Sequence, residues 1–211
     1  HGFDIIAFPM VLYYCKEESR VILQELKEGV YTRDEMLRCT LGKGEFSIIP
    51  APAKAYRRSF LLDNNIWFLE GILHEDNPFF IEVMNFCEKI YFTEKPLYYY
   101  RQNRDGSITY CHTFKTYSGV IDGINHIEKL NIESNPCVRF LNANMLVFQV
   151  TQNYKNNEEK QVFKELRTVR YKSKMIKYLF SETFDIKHTI RLFLLIIDPL
   201  MLKLIYRSHE R

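Results

Sequence analysis

Apolar positions change their period along the chain, and that change divides it in two. Ile5-Ile6-Ala7-Phe8 is a short continuous apolar run of the kind a buried strand shows, so Phe3 to Phe8 is predicted as a strand that continues past Pro9 to Tyr13-Tyr14. Glu17 to Lys27 is charged and periodic. Thr32-Arg33-Asp34-Glu35 has the capping-box spacing, in which hydroxyl and carboxylate each satisfy an orphan backbone N–H, so a helix is predicted to start at Thr32 with Met36, Leu37 and Leu41 on its apolar face. From Phe46 a proline-limited extended piece turns into a short helix that Asp63-Asn64-Asn65 breaks, and Ile66-Trp67-Phe68 reads as a short strand. Asn77 is predicted as an N-cap with Pro78 at the first helical position, followed by Phe79, Phe80, Val83, Met84 and Cys87 on one face. Ile90-Tyr91-Phe92 and Leu97-Tyr98-Tyr99-Tyr100 are predicted to pair with each other around Thr93-Glu94-Lys95-Pro96.

Beyond His112 the period is helical throughout, giving helices over roughly 113–130, 137–153, 157–181 and 187–206. The predicted class is α+β: a small mixed sheet with flanking helices over residues 1–111, then an all-helical region over 112–211. Composition agrees, since 31 aromatics against 8 Gly and 7 Pro disfavour turn-dense sandwiches and glycine-rich nucleotide loops. Five cysteines at 15, 39, 87, 111 and 137 form no C-x-x-C run and read as reduced core residues in a cytosolic setting. The chain opens without a basic flank or cleavage site, so no signal peptide is expected.

Charge sharpens the division: residues 1–135 carry net −4 and residues 136–211 net +7. Within the basic part, Ile190 to Tyr206 is strongly apolar but interrupted by Arg191, Asp198 and Lys203, which excludes a transmembrane helix. Residues 164–206 can instead meet an anionic membrane surface through apolar burial and attraction of Lys and Arg to lipid headgroups, or dock on their own domain. No nucleic-acid motif accompanies the basic stretch, so a nucleic-acid partner is not expected.

The chain contains no G-x-G-x-x-G, G-x-x-x-x-G-K-[ST], H-E-x-x-H or G-x-S-x-G, and its eight Asp residues are isolated from one another. It is therefore not expected to bind a metal ion by itself. The pair Glu75-Asp76, just ahead of the predicted helix, stands in the positive field of a helix N-terminus, which favours the ionised state a general base needs. The plain alternative is a capping or dipole partner. Arg101 and Arg104 could grip an anionic group with their guanidinium forks, with Ser107 adding a hydroxyl, or they could be a solvated turn.

Three stretches in order carry a resemblance: Lys54-Ala55-Tyr56-Arg57-Arg58-Ser59-Phe60-Leu61, then Asn65 to Phe80 with Glu70-Gly71 and His74-Glu75-Asp76, then Tyr98-Tyr99-Tyr100-Arg101-Gln102-Asn103-Arg104-Asp105-Gly106-Ser107-Ile108. Together they resemble the C-terminal half of bacterial family 2 glycosyltransferases of the GT-A fold, in which a "k-x-Y-r-r-x-f-L" helix, an "E-G-x-x-x-E-D-x-x-F" segment and a "Y-x-Y-R-x-r-x-x-S-I" turn succeed one another. The resemblance covers roughly residues 1–110.

It implies inverting transfer of a sugar from a nucleotide-diphosphate sugar to a glycan or lipid-linked acceptor in cell-surface polysaccharide or lipopolysaccharide synthesis. Asp76 would be the general base with Glu75 beside it. Arg101, Arg104 and Ser107 would contact the donor diphosphate, and His74, Tyr56 and Arg57 would line the acceptor side. It also implies a divalent metal, Mg or Mn, supplied with the nucleotide site by an N-terminal half carrying Asp-x-Asp. Neither feature occurs in this sequence, so the chain is expected to hold the acceptor-side half and C-terminal extension of a longer enzyme and to be inactive alone. The expected location is cytoplasmic, peripheral on the inner face of the cell membrane. The competing reading is a non-catalytic helical interaction or membrane-docking module in which Glu75-Asp76 only caps a helix.

Overall fold

A computed structural model of the protein describes residues 2–14, 18–21, 26–39, 49–102, 114–155, 164, 166, 172, 175–178 and 186–198. The fold is α+β, and the chain divides into two compact units, 1–69 with 75–111, and 70–74 with 112–211.

Among the described residues the first unit holds two small sheets. One has the order β4 (Gly29–Thr32), β6 (Lys89–Phe92), β1 (Ile5–Ala7), β5 (Lys54–Tyr56); the other has the order β3 (Glu18–Val21), β2 (Met10–Tyr14), β7 (Tyr98–Gln102). Both are mixed: β1 pairs parallel with β6 and antiparallel with β5, and β2 pairs parallel with β7 and antiparallel with β3. The expected pairing of residues 90–92 with 97–100 is thus corrected, because β6 and β7 belong to different sheets. The segments β1 and β2 run one after the other beside β6 and β7. Each pair of consecutive strands is separated by a proline-containing stretch, at Phe8-Pro9 and at Thr93 to Leu97, where proline has no N–H to give a ladder. Ile5, Ala7, Ile90 and Phe92 are buried in the unit's core.

The capping box forms as expected. Thr32 Oγ1 accepts from the Glu35 N–H at 3.3 Å, and Glu35 Oε2 accepts from the Thr32 N–H at 2.8 Å, opening α1 (Arg33–Cys39). Helix α2 (Arg58–Asp63) ends in a Schellman motif: the Ile66 N–H donates to Leu61 O at 2.9 Å and the Asn65 N–H to Leu62 O at 3.1 Å, with Asn65 in the left-handed region at φ 53°. That motif explains why Ile66 to Phe68 is not the strand its residues suggest. The Ile66 N–H is committed to the helix end, and its side chain is buried beneath it.

The second unit packs α4 (Phe114–Ile127) on α5 (Pro136–Lys155) and α5 on α6 (Ile186–Ile197), around Tyr117, Ile124, Leu146, Val150, Leu192 and Leu195. Gly119 of α4 lies against the 70–74 segment so closely that a Cβ there would stand 2.6 Å from Leu73 O. Cys39, Cys87 and Cys137 are free thiols, and no helix among the described residues is long and apolar enough to cross a membrane.

Candidate active site

Helix α3 (Asp76–Phe86) begins two residues earlier than its sequence suggests, so Asn77 is not its N-cap. Glu75, in helical conformation, occupies the cap position without a side-chain cap bond; Asp76 is the first helical residue, and Pro78 is the third. Proline costs nothing there, because the first N–H groups of a helix have no intrahelical partner. Asp76 therefore stands in the first turn, at the positive end of an 11-residue helix.

The strand β5 supplies the other half of the cluster. Residues two apart in a strand share a face, and Lys54 and Tyr56 project the same way, opposite in register to Ala7 and Ile5. Lys54 is buried, with 7% of its surface exposed. Its Nζ donates to Pro50 O at 2.8 Å and lies 5.2 Å from the centroid of the Phe80 ring. Burial pushes its amine down from the ordinary lysine range to about 7, and the Asp76 charge pulls it partway back. The Tyr56 hydroxyl is also buried, with no hydrogen-bond partner among the described residues. Burial, and then the Asp76 charge, push its phenol upward, so it stays protonated as a donor. One carboxylate thus acts on a buried amine and a buried phenol at once. The Tyr56 ring meets Phe79 edge-on at 5.4 Å, and Phe79 stacks on half-exposed Phe68 at 4.0 Å, which gives the cluster an aromatic wall.

The other sequence-predicted residues are placed as follows. Arg57 pairs with Asp4 at 3.4 Å and donates to Phe3 O at 3.1 Å, which ties the end of β5 to the start of β1. His74, at φ 64°, belongs to the second unit, where its Nε2 lies 2.9 Å from Gln149 Nε2. Arg101 is exposed on β7, opposite Tyr13 in the β2 register, while Arg104 and Ser107 lie outside the described residues. Lys54 was not among the predicted site residues. Its signal was available: a lone lysine alternating with alanines and a tyrosine, Ala53-Lys54-Ala55-Tyr56, is a strand whose inward face carries the charge.

No protein-family profile matches the chain, and no curated protein matches it in sequence. Solved structures do match in fold. The S. aureus TarS 1–349 structure in complex with UDP-GlcNAc aligns with 100% of this chain at a TM-score of 0.54 and 14% identity, and TarS 1–349 alone aligns at 0.52 and 14%. The chain has a glycosyltransferase-like fold. It spans about 60% of the length of those TarS chains. Among the described residues no group of three His, Cys, Asp or Glu side chains that could hold a metal ion is found.

Proposed function

We propose that the chain is part of an inverting family 2 glycosyltransferase that moves a sugar from a nucleoside-diphosphate sugar to an acceptor hydroxyl in cell-surface polysaccharide or lipopolysaccharide synthesis. The observation that carries the reading is Asp76. It is a first-turn carboxylate whose charge acts on buried Lys54 and Tyr56, in a chain with the fold of a protein solved with UDP-GlcNAc.

In this reading the acceptor oxygen attacks the anomeric carbon from the face opposite the leaving diphosphate. The new C–O bond forms as the bond from the anomeric carbon to the diphosphate oxygen breaks, and that electron pair leaves with the diphosphate. The acceptor proton passes to the Asp76 carboxylate, and the configuration inverts. Glu75 stands beside the base. Tyr56 stays protonated as a donor, and Arg101, with Arg104 and Ser107, serves the diphosphate. Arg57 serves the acceptor side. The enzyme works at the cytoplasmic face of the cell membrane, on a glycan or lipid-linked acceptor, with the basic C-terminal region against anionic lipid. That last element is supported by Ile190, Phe193 and Ile197, which are exposed on α6 within the net +7 portion of the chain.

The test is Asp76→Asn in the full-length protein with UDP-GlcNAc as the first donor. The expected result is a fall in transfer rate on the order of 100-fold or more, with the substrate KM little changed. A variant that transfers as fast as the parent would eliminate Asp76 as the base and favour the non-catalytic module.

A further inference from the structure

Two adjacent rings, Trp67 and Phe68, are held open to solvent at 59% and 47% exposure. Both sit on a pinned stretch of chain. The Ile66 N–H is committed to the end of α2 and the Ile66 side chain is buried, which fixes the backbone just ahead of them. The Trp67 indole N–H donates to Asn65 Oδ1 at 3.0 Å, which orients that ring. Phe68 lies on buried Phe79 with centroids 4.0 Å apart and planes 15° from parallel, so one of its faces is covered and its exposure belongs to the other face and the edge. Phe79 in turn follows Asp76 by three positions in α3, and residues three apart on a helix are neighbours with Cβ atoms about 5–6 Å apart. From the start of α3 outward the order is therefore Asp76, Phe79, Phe68, all within the first unit.

Scattered exposed apolar side chains need no explanation, but two neighbouring rings fixed in orientation beside a first-turn carboxylate make a surface of defined shape. A flat ring with an open face and polar groups nearby suits a pyranose. The C–H bonds on one face of the sugar lie against the negative π face, while its hydroxyls reach sideways to amide and carboxylate oxygens such as those of Asn65 and Asp76. A nucleobase stacks on a ring as well, yet this ring adjoins the carboxylate that takes the acceptor's proton, so the acceptor is what it meets.

We propose that Phe68, with Trp67 beside it, is the platform on which a pyranose ring of the acceptor lies, so that the acceptor is a sugar and not a polyol phosphate. The proposal rests on reading Asp76 as the base.

Trp67 is the only tryptophan in the 211 residues, so tryptophan emission reports on this place alone. The chain is titrated with the methyl α- and β-glycosides of glucose, galactose, mannose and N-acetylglucosamine, and separately with glycerol phosphate and with uridine diphosphate. A saturable change with at least one glycoside, and none with the other two, is expected. Silence toward every glycoside overturns the proposal, as does a response to glycerol phosphate; a response to uridine diphosphate instead would give the rings to the donor base and overturn it too. Phe68→Leu keeps an apolar cover over Phe79 but removes the flat face, and should weaken glycoside binding by about fivefold or more. In the full-length protein it should raise the glycoside's KM by a similar factor and leave the donor's KM in place. Unchanged glycoside affinity in Phe68→Leu overturns the platform, and if that variant fails to fold the parent titration still decides. Glycoside binding combined with parental transfer by Asp76→Asn keeps the platform and sinks the base, whereas transfer lost in Asp76→Asn with a silent Trp67 keeps the base and sinks the platform.

Discussion

At the scale of the residue, Lys54 makes stability depend on pH in an unusual direction. Its amine is pushed down to about 7 in the folded chain, while in the unfolded chain it sits near 10.5. Between those values the unfolded state binds more protons, so this group's contribution is fully present above about 10.5 and is lost as pH falls toward 7. At roughly 1.4 kcal/mol per pH unit, the whole window is worth on the order of 5 kcal/mol. Cys87 works the opposite way at the alkaline end. Burial pushes its thiol up to about 11, so its contribution is complete below its ordinary value near 9 and is lost as pH rises through 11. The rise from Lys54 is therefore cleanest between pH 7 and 9. Urea unfolding should find the parent more stable at pH 9 than at pH 7 and Lys54→Met nearly level between them. A parent that is level over this range would show that Lys54 is not a buried amine.

At the scale of the element, close backbone approach outweighs propensity. Replacing a helical glycine by alanine ordinarily stabilises a helix by about 1 kcal/mol. In α4 the added Cβ of Gly119→Ala would meet the Leu73 backbone at 2.6 Å from its oxygen and 2.8 Å from its nitrogen, atoms that cannot swing aside. The sign reverses, and a loss of about 1–3 kcal/mol is expected, read as a lower urea midpoint at unchanged slope. Equal or greater stability would mean that the 70–74 segment does not lie against α4. Elements governed by local rules were legible in advance: the Thr32–Glu35 box, the stop at Asn64-Asn65, the inward run of α3 and the helices α4, α5 and α6 all depend on neighbours in sequence. Strand partners were not, because β6 and β7 choose β1 and β2 at separations of more than 80 residues, and no local period encodes that choice. The site was half legible for the same reason. Asp76 is announced by its place ahead of Pro78 and Tyr56 was named through the resemblance, whereas Lys54 acquires its place only when β5 is laid beside β1 and its side chain faces inward.

At the scale of the whole molecule, α6 presents two apolar faces. Successive residues turn about 100°, so Leu192 and Leu195, buried in the second unit's core, lie opposite Ile190, Phe193 and Ile197, each about half exposed. A helix that only docked on its own domain would need the first face alone. The second lies in the portion of the chain that carries net +7, which suits an anionic lipid surface: basic groups are drawn to the headgroups while the apolar stripe enters the boundary beneath them. Binding to vesicles containing phosphatidylglycerol should therefore weaken steadily as salt is raised, since screening acts on the charges and not on the stripe. Phe193→Glu should weaken it separately, by about tenfold or more, because burying a phenylalanine side chain is worth roughly 1.5–3 kcal/mol and each 1.4 kcal/mol is a factor of ten. Sedimentation with vesicles measures both effects on the same sample. Equal binding to neutral and anionic vesicles would remove the electrostatic half of the account. Failure to bind either would mean that protein rather than lipid covers the stripe.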